Sequence, residues 1–456
     1  MLNSRGYYNF LLALLLLCAL VSLSTLGPQL PRTFSDYVDG FGEIFHVDQI
    51  NEQIQDVLSG GSKAASASLS PDMQALKSLC DNTTWTEGLW VHCHSGCGDN
   101  QLSFCGGLNN ARNRVQTCIR LAIDAGAGVM IPSLATRHED NLVDTNGNLA
   151  CPDIWWNLDN LEKSVQEVCP RLQMKFCEDG REGVTVVEAP GRMYLEAAFR
   201  QGTFQQSAHG ALQSADIDIA RITPENPVVL QFSDPYIGWN YRDSNELQTT
   251  RKALFKTITF RQSLLDKSRS ISKNEKLLGG NFIGIHLRGE NDWPASFGSA
   301  DDQMRLYSEE VQKMYAANDE STRVVYVSSG DQTATQRFRQ ILQPLGYTVH
   351  DKWTLLADSP TELAELDALS FDEKGIVEYN ALVEAKVFIG VIMSSMSSLV
   401  AYARTVNEEP DFFDTHVFPG SSKVGLQRTY DAMSIKGNSH TKLLVVNGVD
   451  IMDSFP

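Results

Sequence analysis

Three residue types with chemistry to offer follow a short apolar run. Phe282-Ile283-Gly284-Ile285-His286-Leu287 leads directly into Arg288, Glu290 and Asp292. Arginine is always charged and presents a forked set of donors that matches phosphate oxygens. The run has the length and composition of a buried strand, and the carboxyl edge of an open α/β sheet is where ligands bind. The spacing therefore predicts an anionic ligand at Arg288, with His286 beside it. The alternative is an arginine paired with Glu290 or Asp292 for structural reasons alone.

The same grammar recurs. Arg323–Val327 leads into Ser328-Ser329-Gly330-Asp331 and a helix predicted over 332–343. Lys386–Val391 leads into Ser394-Ser395-Met396-Ser397 and a helix predicted over 399–405. Serines at a helix start are ordinary caps, yet free N–H groups there also bind phosphate. Earlier in the chain, a strand at 88–93 precedes Gly106-Gly107-Leu108-Asn109-Asn110, then a helical pattern and the strand Val129–Pro132. A glycine pair at such a turn lets backbone approach a ligand, or simply makes a tight turn. Pro227–Phe232 reads as a further buried strand, and 246–272 as one long helix running into a Ser/Lys-rich connector at 269–277. Strands alternating with helices imply parallel sheets with right-handed crossovers. The fold class expected is α/β, and the connector marks a domain boundary.

The whole chain frames these loops. At 456 residues, two domains are expected, and 42% hydrophobic with 21% charged residues is a globular composition. A formal net charge of −18 repels nucleic-acid phosphates, so no nucleic-acid partner is expected. The apolar segment Phe10–Leu26 behind Arg5 reads as a membrane signal anchor, with a cleaved signal peptide as the alternative. Residues 27–80 have a linker-like composition with some weak helix, giving an order of anchor 1–26, stem 27–80, first domain 81–270 and second domain 271–456. Eight cysteines fall between Cys80 and Cys177, which behind a secretory signal reads as disulfides, without assignable pairs. His92-Cys93-His94 with Cys97 and Cys105 could instead bind zinc, although the spacing fits no standard finger. Asn82-Thr83-Thr84 is the one acceptor sequon. Trp155-Trp156 reads as a packing pair, and Asp216-Ile217-Asp218 as surface rather than a metal motif.

Taken together, His286-Leu287-Arg288-x-x-x-Asp292-Trp293 resembles the His-Leu-Arg motif of the GDP-fucose protein O-fucosyltransferases. Gly106-Gly107-Leu108-Asn109-Asn110-x-Arg112 is similar to the Gly-Gly-Leu-Asn-Gln-x-Arg segment of plant members. Phe388-Ile389-Gly390-x-x-x-Ser394-Ser395-Met396-Ser397 and Val325–Asp331 resemble the family's later loops, in family order. The general flavour is that of the fungal members.

The resemblance implies a GT-B fold, two Rossmann-like domains facing across a cleft, with GDP-fucose held mainly by the second. It implies that Arg288 contacts the β-phosphate, with His286 in the same loop. Ser394 and Ser395 would bind phosphate, Asp331 would lie at the nucleotide, and Asn109 and Asn110 would line the first domain's side. Glu290 and Asp292 are the nearest candidates for a general base, or orient Arg288. No metal or other cofactor is implied, since an arginine and a helix N-terminus can stabilise the departing diphosphate. The implied reaction is inverting transfer of fucose to a Ser/Thr hydroxyl of a protein, or to a glycan, by an enzyme of the Golgi or endoplasmic reticulum lumen. Met396 stands where the family has Phe, Ser328-Ser329-Gly330-Asp331 lacks its Thr, and Gly289-Glu290-Asn291 matches neither animal nor plant members. Two alternatives are a catalytically silent sugar- or partner-binding module and a transferase using another nucleotide sugar.

Overall fold

The computed structural model describes residues 69–93, 107–138, 142, 149–177, 183–189, 199–232, 238–241, 243–293, 298–317, 323–391, 394–406, 414–418 and 433–436. The apolar N-terminal segment, Cys97, Cys105 and Gly106 lie outside the described residues.

In chain order the first half comprises α1 (Pro71–Asp81), β1 (Leu89–His92), α2 (Leu108–Ala125), β2 (Gly128–Ile131), the short β3 (Leu134–Ala135) and β4 (Leu149–Ala150), α3 (Leu158–Val168), β5 (Met174–Phe176), β6 (Thr185–Ala189), α4 (Thr203–Ser214) and β7 (Val228–Phe232). Then come α5 (Thr250–Thr257) and α6 (Gln262–Ser272). The second half comprises β8 (Ile283–His286), α7 (Ala300–Ala317), β9 (Val324–Ser328), α8 (Gln332–Leu342), β10 (Thr348–His350), α9 (Lys352–Leu356), α10 (Pro360–Asp367), α11 (Phe371–Val383), β11 (Val387–Val391), α12 (Ser395–Val406), β12 (Asp414–Phe418) and β13 (Met433–Lys436).

Five strands pair in the order β5-β2-β1-β7-β6, all parallel. The second sheet runs β10-β9-β8-β11-β12-β13 and is parallel except for β13. Two Rossmann-like parallel sheets are the α/β, GT-B type architecture that the sequence led us to expect. In the second sheet the strand order reverses between β8 and β11, and open α/β sheets bind ligands outside the strands' carboxyl ends at such a switch point.

The alternation of side chains along β8 explains what it presents to each face. Ile283, Ile285 and Leu287 pack with Val325 and Val327 against Met304, Tyr307 and Phe338 of α7 and α8. Phe282 faces the other way, into the larger core that runs through the first half and includes Tyr326, Leu382 and Phe388. His286 shares that second face. Both faces are covered, so the strand is wholly buried, as parallel strands usually are.

Three expectations need correction. The stem was expected to reach residue 80, but α1 occupies Pro71–Asp81, with Leu76 and Cys80 buried and Cys80 bridged to Cys169. The single helix 246–272 is two helices. Ile258–Arg261 interrupts it, where Phe260 pairs with Trp156 and Arg261 N–H donates to the Trp155 carbonyl. The second of these helices, α6, packs on α11, and Ser272 Oγ donates to Glu384 at 2.7 Å, so it belongs by contact to the second half. Trp155 and Trp156 are buried, as expected.

Disulfides join Cys80–Cys169, Cys93–Cys118 and Cys151–Cys177. Bridging removes Cys93 from the zinc reading, and three such bonds are characteristic of an oxidising compartment. Among the described residues no helix is long and apolar enough to cross a membrane.

Candidate active site

The site grows from the end of β8. His286 is buried, and its Nδ1 lies 2.7 Å from Ser397 Oγ in the first turn of α12. That contact spans the switch point between β8 and β11. Gly390 makes room for it, since a Cβ there would stand 2.4 Å from Ser397 Oγ. Burial, reinforced by Arg288, pushes the imidazole down to about 4, against the pull of Glu290, so it is neutral at physiological pH.

Arg288 is fixed at both ends. Its backbone N–H donates to Gln303 Oε1 at 3.0 Å, and its carbonyl accepts from Gln303 Nε2 at 2.7 Å. Its guanidinium donates to Glu290 and, at 2.5 Å, to Asp292 Oδ1, and sits over the Trp293 ring. Burial opposes the charge, but the two carboxylates outweigh it and hold Arg288 above its ordinary range. Glu290 is the centre of this knot. Its Oε1 accepts the Gly330 N–H at 2.6 Å and its Oε2 the Gly289 N–H at 3.1 Å. Burial alone would raise Glu290, yet Arg288, His286 and the Gly330 N–H bring it to about 2.

The other predicted residues take more ordinary places. Asp331 is the N-cap of α8, its Oδ1 accepting from Ala334 N–H at 2.9 Å. Ser394 is buried, and its N–H already donates to the Val391 carbonyl at 3.1 Å, so only its hydroxyl remains for a ligand. Ser395 opens α12, four residues before the predicted start, and the first N–H groups of a helix have no intrahelical partner. Asn109 and Asn110 lie in the first turn of α2, which Gly107 caps. Asn82 is exposed at the end of α1, its amide donating to the Ser78 carbonyl at 2.8 Å. Asp216 and Asp218 are exposed beyond α4, the surface placement expected.

Several residues of this neighbourhood were missed. Arg137 reaches from the first half to the second. It pairs with Asp372 through Nε at 3.2 Å and through its backbone N–H at 2.9 Å, and its Nη1 lies 3.7 Å from Asp292 Oδ2. Its guanidinium covers Phe371 and fills the space over Gly107, where a Cβ would stand 2.3 Å from Nη2. Gly107 therefore serves a close side-chain approach. Beneath β9, the buried Lys352 donates to the Ser329 carbonyl at 3.0 Å and to Glu378 at 3.1 Å. Arg112, which ends the Gly-Gly-Leu-Asn-Asn-x-Arg motif, donates to the carbonyls of Phe255 and Ile258 and to Tyr379 Oη, stacked on the Phe255 ring. It braces α2 against α5 and α11. Lys352 follows the carboxyl end of β10 and Arg137 that of the short β3, and that rule could have flagged them; Asp372 carried no such signal.

The sequence model for GDP-fucose protein O-fucosyltransferases matches residues 102–407, about two thirds of the chain. None of the curated proteins matches it. Among solved structures, POFUT1 in complex with GDP-fucose is 12% identical, with 70% of this chain and 95% of that chain covered and a TM-score of 0.40. NodZ alpha-1,6-fucosyltransferase soaked with GDP-fucose is 11% identical, with 77% and 99% covered and a TM-score of 0.41. The selenomethionine NodZ structure from Bradyrhizobium gives 12%, 77%, 99% and 0.41. Likeness at this level supports no inference about substrate or site. By the family match over about two thirds of its length, the chain belongs to the GDP-fucose protein O-fucosyltransferase family and is a GDP-fucose-dependent glycosyltransferase by kind.

Proposed function

We propose that the protein transfers fucose from GDP-fucose to a hydroxyl of a protein Ser/Thr or of a glycan, with inversion and without a metal, in the secretory lumen. The observation that carries this is Arg288. Arg288, its backbone pinned by Gln303 at the carboxyl end of β8 beside the switch point, would grip the diphosphate there.

As the fucosyl bond breaks, negative charge gathers on the departing GDP. Fixed positive charge at that place stabilises the transition state more than the ground state. Arg288 supplies it, with the Ser394 hydroxyl and the N-terminal N–H groups of α12 as further donors to phosphate. Neutral His286 and Ser397 tie the end of β8 to α12, which fixes the spacing between arginine and helix. Asp331, with Gly289 packed against it, shapes the nucleotide side while capping α8. Asn109 and Asn110, in the first turn of α2, would line the first half's side near the fucose and acceptor. Glu290 is held far below the pH of the lumen and bound by three donors, so it orients Arg288 and is a poor base. Asp292 orients the same arginine from its other side. The apolar N-terminal segment would anchor or export the chain, and Asn82 would carry a glycan.

One observation favours a silent, binding-only protein: the charge of Arg288 is already matched by two carboxylates. Melting curves with GDP, UDP and ADP test the donor. At ligand concentrations about 100-fold above Kd, specific binding adds about 2.7 kcal/mol and a clear shift in Tm. We expect the shift with GDP; stabilisation by UDP and none by GDP would defeat the fucose reading.

A further inference from the structure

Arg137 has no part in the motifs that identify the family site, yet it touches that site through one carboxylate. Asp292 is shared. Its Oδ1 accepts from Arg288 Nη2 at 2.5 Å, while its Oδ2 lies 3.7 Å from Arg137 Nη1. The side chains of Arg137 and Asp292 are 17% and 14% exposed, so water screens the pair only partly. Arg137 is itself held from behind by both oxygens of Asp372 at the start of α11 and by the face of Phe371. The result is a chain of alternating charge, Asp372–Arg137–Asp292–Arg288–Glu290, that starts on the far side of Gly107 and ends on the Gly330 N–H.

We propose that Arg137 is a positioning residue for the donor diphosphate: by holding one oxygen of Asp292 it limits that carboxylate's grip on Arg288 and leaves the guanidinium exchangeable for phosphate. This rests on the donor reading above. A diphosphate must take donors of Arg288 away from Glu290 or Asp292. With Arg137 in place, the charge of Asp292 stays compensated when Arg288 turns to phosphate. Without it, Asp292 would be left as a largely buried, uncompensated charge, so Arg288 would leave it only at greater cost. The cluster would also gain one net negative charge, which repels the incoming ligand. Because Arg137 comes from the first half and Asp292 and Asp372 from the second, the same contact couples the meeting of the halves to the readiness of the site.

The test is a double-mutant cycle on GDP affinity, measured by titration calorimetry on the full chain: wild type, Arg137→Gln, Asp292→Asn and the double variant. Coupling between contacting charged residues predicts about tenfold weaker GDP binding for Arg137→Gln in the wild-type background. In the Asp292→Asn background, the same change weakens binding by at most about twofold. Equal losses in both backgrounds, or no loss in either, overturn the proposal, since a brace acting through Asp372 alone would not depend on Asp292. If Arg137→Gln does not fold, Arg137→Lys serves, with the same pattern at smaller size because the fork is lost and the charge kept. A wild type that binds no GDP overturns the donor reading and this inference with it; a wild type that binds GDP with additive losses overturns this inference alone.

Discussion

Glu290 Oε1 accepts the Gly330 N–H at 2.6 Å, joining the loop after β8 to the loop after β9 by a single side chain. The other oxygen of the same carboxylate pairs with Arg288. One residue thus bonds both the arginine and the loop after β9. Glu290→Gln removes the charge and turns an amide N–H₂ toward Arg288 or Gly330. We expect kcat/KM to fall about 10- to 100-fold, the scale of a lost charge-assisted bond. The pH profile separates orientation from base catalysis. With Glu290 at about 2, the wild type shows no acid limb from this group above pH 4. A limb between pH 5 and 7 that vanishes in Glu290→Gln would make Glu290 the base.

His286 makes stability depend on pH. Its folded value of about 4 lies below the ordinary 6.5, because burial disfavours the charged ring. The unfolded chain therefore binds the proton first. The contribution of His286 is complete above pH 6.5 and is lost as pH falls through 4. Between pH 6.5 and 5 the loss is about 1–2 kcal/mol. His350 is shifted in the same direction by burial and adds to it, so the informative quantity is the difference between wild type and His286→Asn. That variant keeps a polar atom near the Nδ1 position and should flatten the fall in Tm over this window. Parallel Tm curves for the two proteins would show that His286 is not buried in neutral form.

Lys352 and Glu378 form a buried ion pair under the carboxyl end of β9, with burial pushing the Glu378 carboxyl above its ordinary range. Lys352→Met strands that carboxyl and frees the Ser329 carbonyl, and should cost about 3–5 kcal/mol, measured by denaturant unfolding. Lys352→Met with Glu378→Gln should recover much of the loss, because neither charge is then left alone. A small effect of the single change would mean that water reaches the pair.

Cys80 and Cys169 close a loop with a sequence separation of 89 and fasten α1 to the end of α3. Replacing both by alanine should cost on the order of 4 kcal/mol, seen as a lower Tm under non-reducing conditions. An unchanged Tm would mean that packing of Leu76 alone holds α1 in place.

The strands and their loops were legible because a parallel strand covered on both faces must be a short continuous apolar run, as Phe282–Leu287 and Val387–Val391 are. The ligand edge followed from what stands just after each run. Three things resisted. The break at Ile258–Arg261 is made by tertiary partners, Trp155 and Trp156, which no local pattern announces. Helix α1 carries its signal in three positions, Leu76, Cys80 and the proline at its start, within a composition that otherwise reads as linker. Arg137 and Asp372 are 235 residues apart in sequence, and only the folded chain shows that they share a bond. Arg288 was legible as a charge at a strand end; that two carboxylates share it was legible only as a choice between readings.

The most direct measurement is turnover of GDP-fucose by the full chain, wild type beside Arg288→Lys and Arg288→Ala, with folding of each confirmed by circular dichroism. Arg288→Lys keeps a charge between Glu290 and Asp292 but loses the fork. We predict a loss of about 10²–10³ in kcat for Arg288→Ala, the range for removing one donor to developing charge, and an intermediate loss for Arg288→Lys. Folded Arg288→Ala that releases GDP from GDP-fucose at the wild-type rate would contradict the account.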